Sequence, residues 1–185
     1  GHHAGYYPGA KNMVLKLIFD ENGKIFGAQA VGEAGVDKRI DVIATAIKGN
    51  LTVYDLPEIE ITYAPPFNSA KDPVNIAGYT AENILKGDLE MVNYDDFWQF
   101  VEENNAVILD VRTSKEFSGG AIEGAININV DDLRENLQNL DKNKVYAIYC
   151  QVGLRGYLAN RIMRNNGFRA VNLNGGYNLW SKVQS

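Results

Sequence analysis

Runs of apolar residues alternate with polar breaks along this chain, and the pattern resets near its middle. Met13 to Phe19 is strongly apolar, Asp20-Glu21-Asn22-Gly23-Lys24 interrupts it, and a second β-rich run spans Ile25 to Val31. Asn-Gly between two such runs predicts a hairpin with both turn positions at positive φ. After Gly32 to Gly35, the residues Val36, Ile40, Ile43, Ala44 and Ile47 recur at helical spacing, and Gly49 supplies a stop. Thr52 is placed to cap a short helix running towards Glu58. Ile59-Glu60-Ile61-Thr62-Tyr63 alternates like a half-buried strand, ended by Pro65-Pro66. Val74 to Leu85 predicts another helix, closing at Gly87. Residues 1–87 therefore predict an α+β unit with an antiparallel hairpin.

The reset falls at residues 87 to 91. Asn93 or Asp95 can cap a helix carrying Phe97, Trp98, Phe100 and Val101. Ala106-Val107-Ile108-Leu109 is continuously apolar, as expected of a strand covered on both faces. Leu133, Leu137 and Leu140 mark a helix, Val145 to Tyr149 a second buried strand, and Leu158, Ala159, Ile162 and Met163 the next helix. Val171-Asn172-Leu173 reads as a third strand, broken by Gly175-Gly176. Strands alternating with helices predict a parallel sheet with helices on both faces over residues 92–185.

The 185 residues suit either one large domain or two small ones, and 45% apolar content is enough to build cores. The net charge is -5 with scattered Lys and Arg, which argues against a nucleic-acid surface. No apolar run approaches the ~20 residues of a membrane span, and no basic-then-apolar leader is visible. The opening Gly1-His2-His3-Ala4-Gly5-Tyr6-Tyr7-Pro8-Gly9 lacks an initiator Met and reads as the start of a piece of something longer. His2-His3, with no third ligand in view, reads as loop rather than metal site. A single cysteine forms no internal disulfide, which fits a reducing, cytoplasmic compartment.

That cysteine, Cys150, directly follows the strand Val145 to Tyr149 and opens Cys150-Gln151-Val152-Gly153-Leu154-Arg155-Gly156, with a helical pattern immediately after. Strand, glycine-containing loop and helix start together turn backbone N–H groups inward as an anion nest, reinforced by the positive end of the helix. A thiolate or a persulfide at the head of such a loop is stabilised. Arg155 adds a cation near the mouth. The chain's two histidines, His2 and His3, lie in the other half, so a Cys–His dyad is not expected.

Three ordered motifs carry a family resemblance. Ile108-Leu109-Asp110-Val111-Arg112, Glu116-Phe117 and Gly120 to Ile128 resemble the first signature of rhodanese domains. Cys150 to Arg155 resembles their active-site loop, and Asn172-Leu173-Asn174-Gly175-Gly176 with Trp180 resembles their C-terminal signature. One departure is Ala121, where the family often has His. The resemblance implies an α/β rhodanese domain, a parallel sheet flanked by helices, over residues 92–185. Cys150 would accept sulfane sulfur, and Gln151, Val152, Gly153, Leu154 and Arg155 would form the substrate- or anion-binding loop. Asp110 and Arg112 are expected to be scaffold, and Arg112 and Glu116, four residues apart, are placed to pair. The cell-division-cycle dual-specificity phosphatases also resemble rhodaneses, but their loop has five residues between Cys and Arg where this one has four. Sulfur transfer is therefore expected over phosphate hydrolysis. A silent rhodanese-like binding module is the other alternative, and retention of both Cys150 and Arg155 speaks against it.

Residues 1–87 resemble the dimerisation domain of pyridine nucleotide-disulfide oxidoreductases, chiefly the coenzyme A-disulfide reductase and NADH oxidase branch. The residues are Tyr6-Tyr7-Pro8-Gly9, Gly32 to Asp41, Tyr63-Ala64-Pro65-Pro66-Phe67 and Lys71-Asp72-Pro73. The resemblance implies an α+β dimerisation domain with antiparallel strands, a homodimer formed through residues 1–87, and FAD and NAD(P)H in the full-length protein. No Gly-x-Gly-x-x-Gly loop occurs in this sequence, so no cofactor is expected to bind it. Expected small-molecule partners are low-molecular-weight thiols, persulfides or coenzyme A, with neither nucleic acid nor membrane. Tyr63, and one of Tyr6 or Tyr7, match tyrosines that in this branch stabilise a thiolate in the partner subunit's site.

Overall fold

The Asp20–Lys24 stretch does reverse the chain, but by a different route from the Asn-Gly turn expected. In the computed structural model, which describes residues 1–183, Gly23 has φ of 82° while Asn22 stays out of the left-handed region. The Asp20 carboxylate organises the loop instead, accepting from Asn22 N–H at 3.0 Å and Lys24 N–H at 2.9 Å. This side-chain bridge replaces the two-residue turn and joins β1 (Met13–Phe19) to the antiparallel β2 (Ile25–Gly32).

Two helices pack on this hairpin, α1 (Val36–Lys48) and α2 (Pro73–Leu85). Asp72 caps α2 by accepting from Val74 N–H, Asn75 returns a bond to the Asp72 N–H, and Pro73 fills the first helical position. Ile25, Ile43, Ala46, Val53, Leu56, Val74 and Ala81 form the core. Thr52 does not cap a helix: its N–H and hydroxyl both donate to Asp55, which precedes a single 3₁₀ turn at Leu56–Glu58. The strand expected at Ile59–Tyr63 is absent. Side-chain amides take over the carbonyls a strand partner would have used, Asn75 binding those of Leu56 and Ile59 and Asn68 that of Thr62.

The chain divides at Gly87/Asp88, and the second unit is a five-stranded sheet with every pair parallel. Its strands are β3 (Met91–Val92), β4 (Val107–Asp110), β5 (Ile126–Asn127), β6 (Val145–Tyr149) and β7 (Arg169–Leu173), in the order β3-β7-β6-β4-β5. Between and after them run α3 (Phe97–Asn104), α4 (Ser114–Ser118), α5 (Leu133–Asn136), α6 (Leu154–Asn165) and α7 (Gly176–Val183). The residue before α3 is Asp96, and neither Asn93 nor Asp95 caps it. The helix expected through Leu140 stops at Asn136 and continues as a 3₁₀ turn, Leu137–Asn139.

Side chains alternate across the sheet. Leu109, Tyr146, Ile148 and Cys150 join Leu133, Ala159, Ile162 and Met163 in one apolar cluster. Ile108, Ala147, Tyr149, Val171 and Leu173 join Phe97 in another, with Tyr177 and Trp180 packed against it. Each buried Leu or Ile side chain contributes about 1.5–3 kcal/mol of transfer free energy. Helices cover both faces, which is why the central strands are continuously apolar.

Candidate active site at the cysteine loop

β6 ends at Tyr149, and the next side chain, Cys150, continues the alternation onto the α6 face. Its sulfur is fully buried, at 0% exposure. Apolar residues of the sheet and α6 surround it, while Gly153 N–H donates to Sγ at 3.1 Å. The anion nest expected as a ring of amides is, among the described residues, this one hydrogen bond to sulfur. Gly153 makes it by adopting φ of 138° and ψ of -35°, a conformation open to glycine alone.

The loop is held in shape from behind. The first turn of α7 donates to its carbonyls, Tyr177 N–H to Cys150 O at 2.8 Å and Asn178 N–H to Gln151 O at 2.9 Å. Gly176 permits this approach, because a Cβ there would collide with the backbone of Cys150 and Gln151. Tyr157 N–H donates to Gly153 O at 2.8 Å, the first bond of α6. With these carbonyls engaged outward, the Gly153 peptide presents its N–H to the sulfur.

Below the loop lies a buried ion pair. Arg112 Nη2 meets Asp110 Oδ2 at 2.6 Å, and Arg112 also donates to Gly120 O at 2.7 Å and Gln151 Oε1 at 3.1 Å. Its guanidinium stacks over Tyr177, 4.1 Å from the ring centroid. Asp110 and Arg112 thus act as scaffold tying three segments together. Burial raises the pKa of the neighbouring Tyr149 hydroxyl, which accepts from Ile122 N–H.

Arg112 does not pair with Glu116. Glu116 instead takes a two-pronged bond from Arg155, Nη1 to Oε2 and Nη2 to Oε1, both 2.7 Å. The same carboxylate accepts from Thr113 N–H at 3.0 Å and Thr113 Oγ at 2.8 Å, completing the cap of α4. The bond from Arg155 is the main reason the Glu116 carboxyl is drawn down to about 2. Arg155, expected as a cation at the mouth, therefore has its charge matched. The sequence missed Glu116 in this role because 39 residues separate it from Arg155, while the nearer Arg112 offered a local alternative. It also missed Asn172, which is buried beneath the loop with Nδ2 3.5 Å from Gly153 O.

In the first unit, Tyr6 and Tyr63 meet hydroxyl to hydroxyl at 2.9 Å, and both are exposed. Bonding to Tyr63 pushes the Tyr6 hydroxyl above its ordinary pKa. Tyr7 takes no part in that pair and lies edge-on to His3, 5.7 Å between ring centroids. His2 Nδ1 accepts from Lys11 N–H at 2.9 Å, a loop contact. Among the described residues no three His, Cys, Asp or Glu side chains gather as a metal site, and no helix is long and apolar enough to cross a membrane.

Residues 93–183 match the rhodanese-like domain family, and residues 2–73 match the pyridine nucleotide-disulphide oxidoreductase dimerisation domain. Over 85 residues, 45% of the chain, the sequence is 49% identical to a coenzyme A disulfide reductase of Staphylococcus haemolyticus, and the match spans 19% of that protein. The solved structure of reduced CoADR-RHD from Bacillus anthracis is 49% identical with a TM-score of 0.94, over 98% of this chain and 33% of that one. A NAD-dependent persulfide reductase from A. fulgidus is 36% identical with a TM-score of 0.85, over 97% of this chain and 32% of that one. The chain thus spans about a third of the length of these two solved relatives.

Proposed function

We propose that this chain, which belongs to the pyridine nucleotide-disulphide oxidoreductases of the coenzyme A disulfide reductase type that carry a rhodanese-like domain, moves sulfane sulfur through Cys150. The observation that carries the proposal is the Gly153 N–H aimed at the sulfur of a cysteine closing a buried strand. An amide donor in apolar surroundings stabilises a negative sulfur more strongly than it would in water. It serves the thiolate before transfer and the terminal persulfide after it. Once the loop opens to admit a donor to the buried sulfur, the Cys150 thiolate attacks the outer sulfur of a persulfide R–S–SH, the S–S bond breaks, and R–S⁻ leaves with the electron pair. Cys150–S–SH remains, for delivery to a second thiol. Gln151, Val152, Gly153, Leu154 and Arg155 form the surrounding loop.

The full-length protein would use such sulfur in reducing coenzyme A disulfides, persulfides or polysulfides, with FAD and NAD(P)H supplying the electrons. No Gly-x-Gly-x-x-Gly loop, which would cradle their pyrophosphate, occurs in this sequence. Low-molecular-weight thiols such as coenzyme A are the partners for sulfur exchange. Tyr6 and Tyr63, joined by their hydroxyls, are the pair suited to steady a thiolate in a partner subunit of a homodimer. A lone cysteine used in this way suits the reducing cytoplasm. The loop of four residues between Cys150 and Arg155, with Arg155 held by Glu116, favours sulfur over a phosphoryl group.

Incubating the chain with polysulfide and taking an intact mass tests the proposal. A gain of one sulfur that is absent in Cys150→Ser is the expected result, and a wild-type chain that never gains sulfur overturns it.

A further inference from the structure

The rim of the cysteine loop is apolar and exposed. Val152 is 63% exposed and Leu154 is 67% exposed, and Leu158, one turn further along α6, is exposed as well. A site built for a small dianion would place a free cation there. This loop offers none: the guanidinium that belongs to it, Arg155, is clamped by Glu116 at 2.7 Å on both prongs. Thr113 holds that carboxylate through two further bonds. The guanidinium that touches the loop from below, Arg112, is buried against Asp110. Both guanidiniums that contact the loop, Arg112 and Arg155, are matched by carboxylates.

We infer, resting on the reading of Cys150 as a sulfur acceptor, that Glu116 sets donor specificity: by clamping Arg155 it denies a dianionic donor its counter-charge and leaves the apolar rim to donors whose sulfane sulfur is borne on an uncharged carbon chain. Both reactions are chemically open to the thiolate. From thiosulfate, Cys150–S⁻ takes the outer sulfur, the S–S bond breaks and sulfite leaves with the electron pair, giving Cys150–S–S⁻. From an alkyl persulfide the same attack expels an alkyl thiolate. The first brings two negative charges to a loop whose contacting guanidiniums, Arg112 and Arg155, are already matched. The second lays its carbon chain on Val152 and Leu154, removing apolar surface from water.

The test measures the rate of Cys150 sulfur loading, by intact mass, from thiosulfate and from n-butyl persulfide. Wild type is expected to load faster from butyl persulfide, and an equal or reversed preference overturns the inference. Glu116→Gln removes the charge that matches Arg155, and its thiosulfate rate is expected to rise roughly tenfold relative to the butyl persulfide rate, with a steeper dependence on salt. The gain is expected to vanish in the double variant Glu116→Gln, Arg155→Leu. An unchanged ratio in Glu116→Gln, or a gain that persists without Arg155, overturns the inference. Should Glu116→Gln fail to fold, Leu154→Lys, at an exposed position, places a new cation on the rim and is expected to shift the ratio the same way; no shift counts against it. Wild type that loads from neither donor removes the sulfur-acceptor reading itself, a result distinct from loading without preference.

Discussion

Two residues in the cysteine loop, Gly153 and Arg155, have roles that depend on partners invisible to local sequence. Gly153 reaches the sulfur because the carbonyls before it are engaged by α7, which starts 23 residues later. Arg155 is neutralised by Glu116, which belongs to α4. The Glu116 pairing has a pH signature. Its folded-state pKa, about 2, lies below the ordinary carboxylate value of 4.5. The pair therefore stabilises the fold fully above that ordinary value, and its contribution is lost as pH falls through about 2. Because both side chains are only about two-thirds buried, the contribution is about 1 kcal/mol or less. Thermal unfolding of wild type against Glu116→Gln is expected to show a small advantage for wild type at neutral pH that disappears between pH 4 and pH 2. A difference that stays constant across that range would mean the carboxylate titrates like an exposed one.

Elements were legible where one physical rule sufficed. The buried strand Val145–Tyr149 and the helix after it follow from an apolar run and a helical period, because both faces of that strand are covered by the chain's own helices. The two-residue strands β3 and β5 carry too few side chains for any period, and they exist because β7 and β4 offer open edges. The Ile59–Tyr63 alternation misled because the side-chain amides of Asn68 and Asn75, rather than a neighbouring strand, took carbonyls of that stretch. The loop's glycines were legible as a turn, but not the contact that makes Gly156 necessary. That glycine opens the second half-turn of α6 against Asn172 on β7, and a Cβ there would strike Asn172 Oδ1, an atom with no hydrogen-bond partner among the described residues. Gly156→Ala is expected to destabilise the fold by about 1–3 kcal/mol through overpacking, despite alanine's better helix propensity. Adding Asn172→Ala should recover part of that loss. Denaturant unfolding of the two variants checks this, and a neutral or stabilising Gly156→Ala would show that the helix and β7 are not in close register.

At the scale of the whole molecule, the hairpin leaves uncovered within its own unit a face on which Val14, Val31 and Ile18 flank Lys16 and Gln29. On β1, Val14 and Ile18 point away from the core, and Val14 lies directly across from Val31, which is 76% exposed. Tyr6 is 77% exposed, with Tyr63 bonded to it and Phe67 also exposed. A unit of 87 residues cannot bury everything it carries, yet exposed valines facing each other across a two-stranded sheet are better explained by a surface that another chain covers. Residues 2–73 match a dimerisation-domain family, so a second copy is the occupant expected, and an isologous contact would bring the Val14–Val31 pair of each copy to the shared face. Sedimentation of the full chain is expected to give twice the chain mass at micromolar concentration. Val31→Lys, which puts a charge on that face without touching the core, is expected to weaken association by about tenfold or more, the equivalent of about 1.4 kcal/mol. A chain that stays monomeric at every concentration would remove the dimer, and with it the proposed role of Tyr6 and Tyr63 in a partner's site. A dimer indifferent to Val31→Lys would move the interface to another face while leaving that role standing.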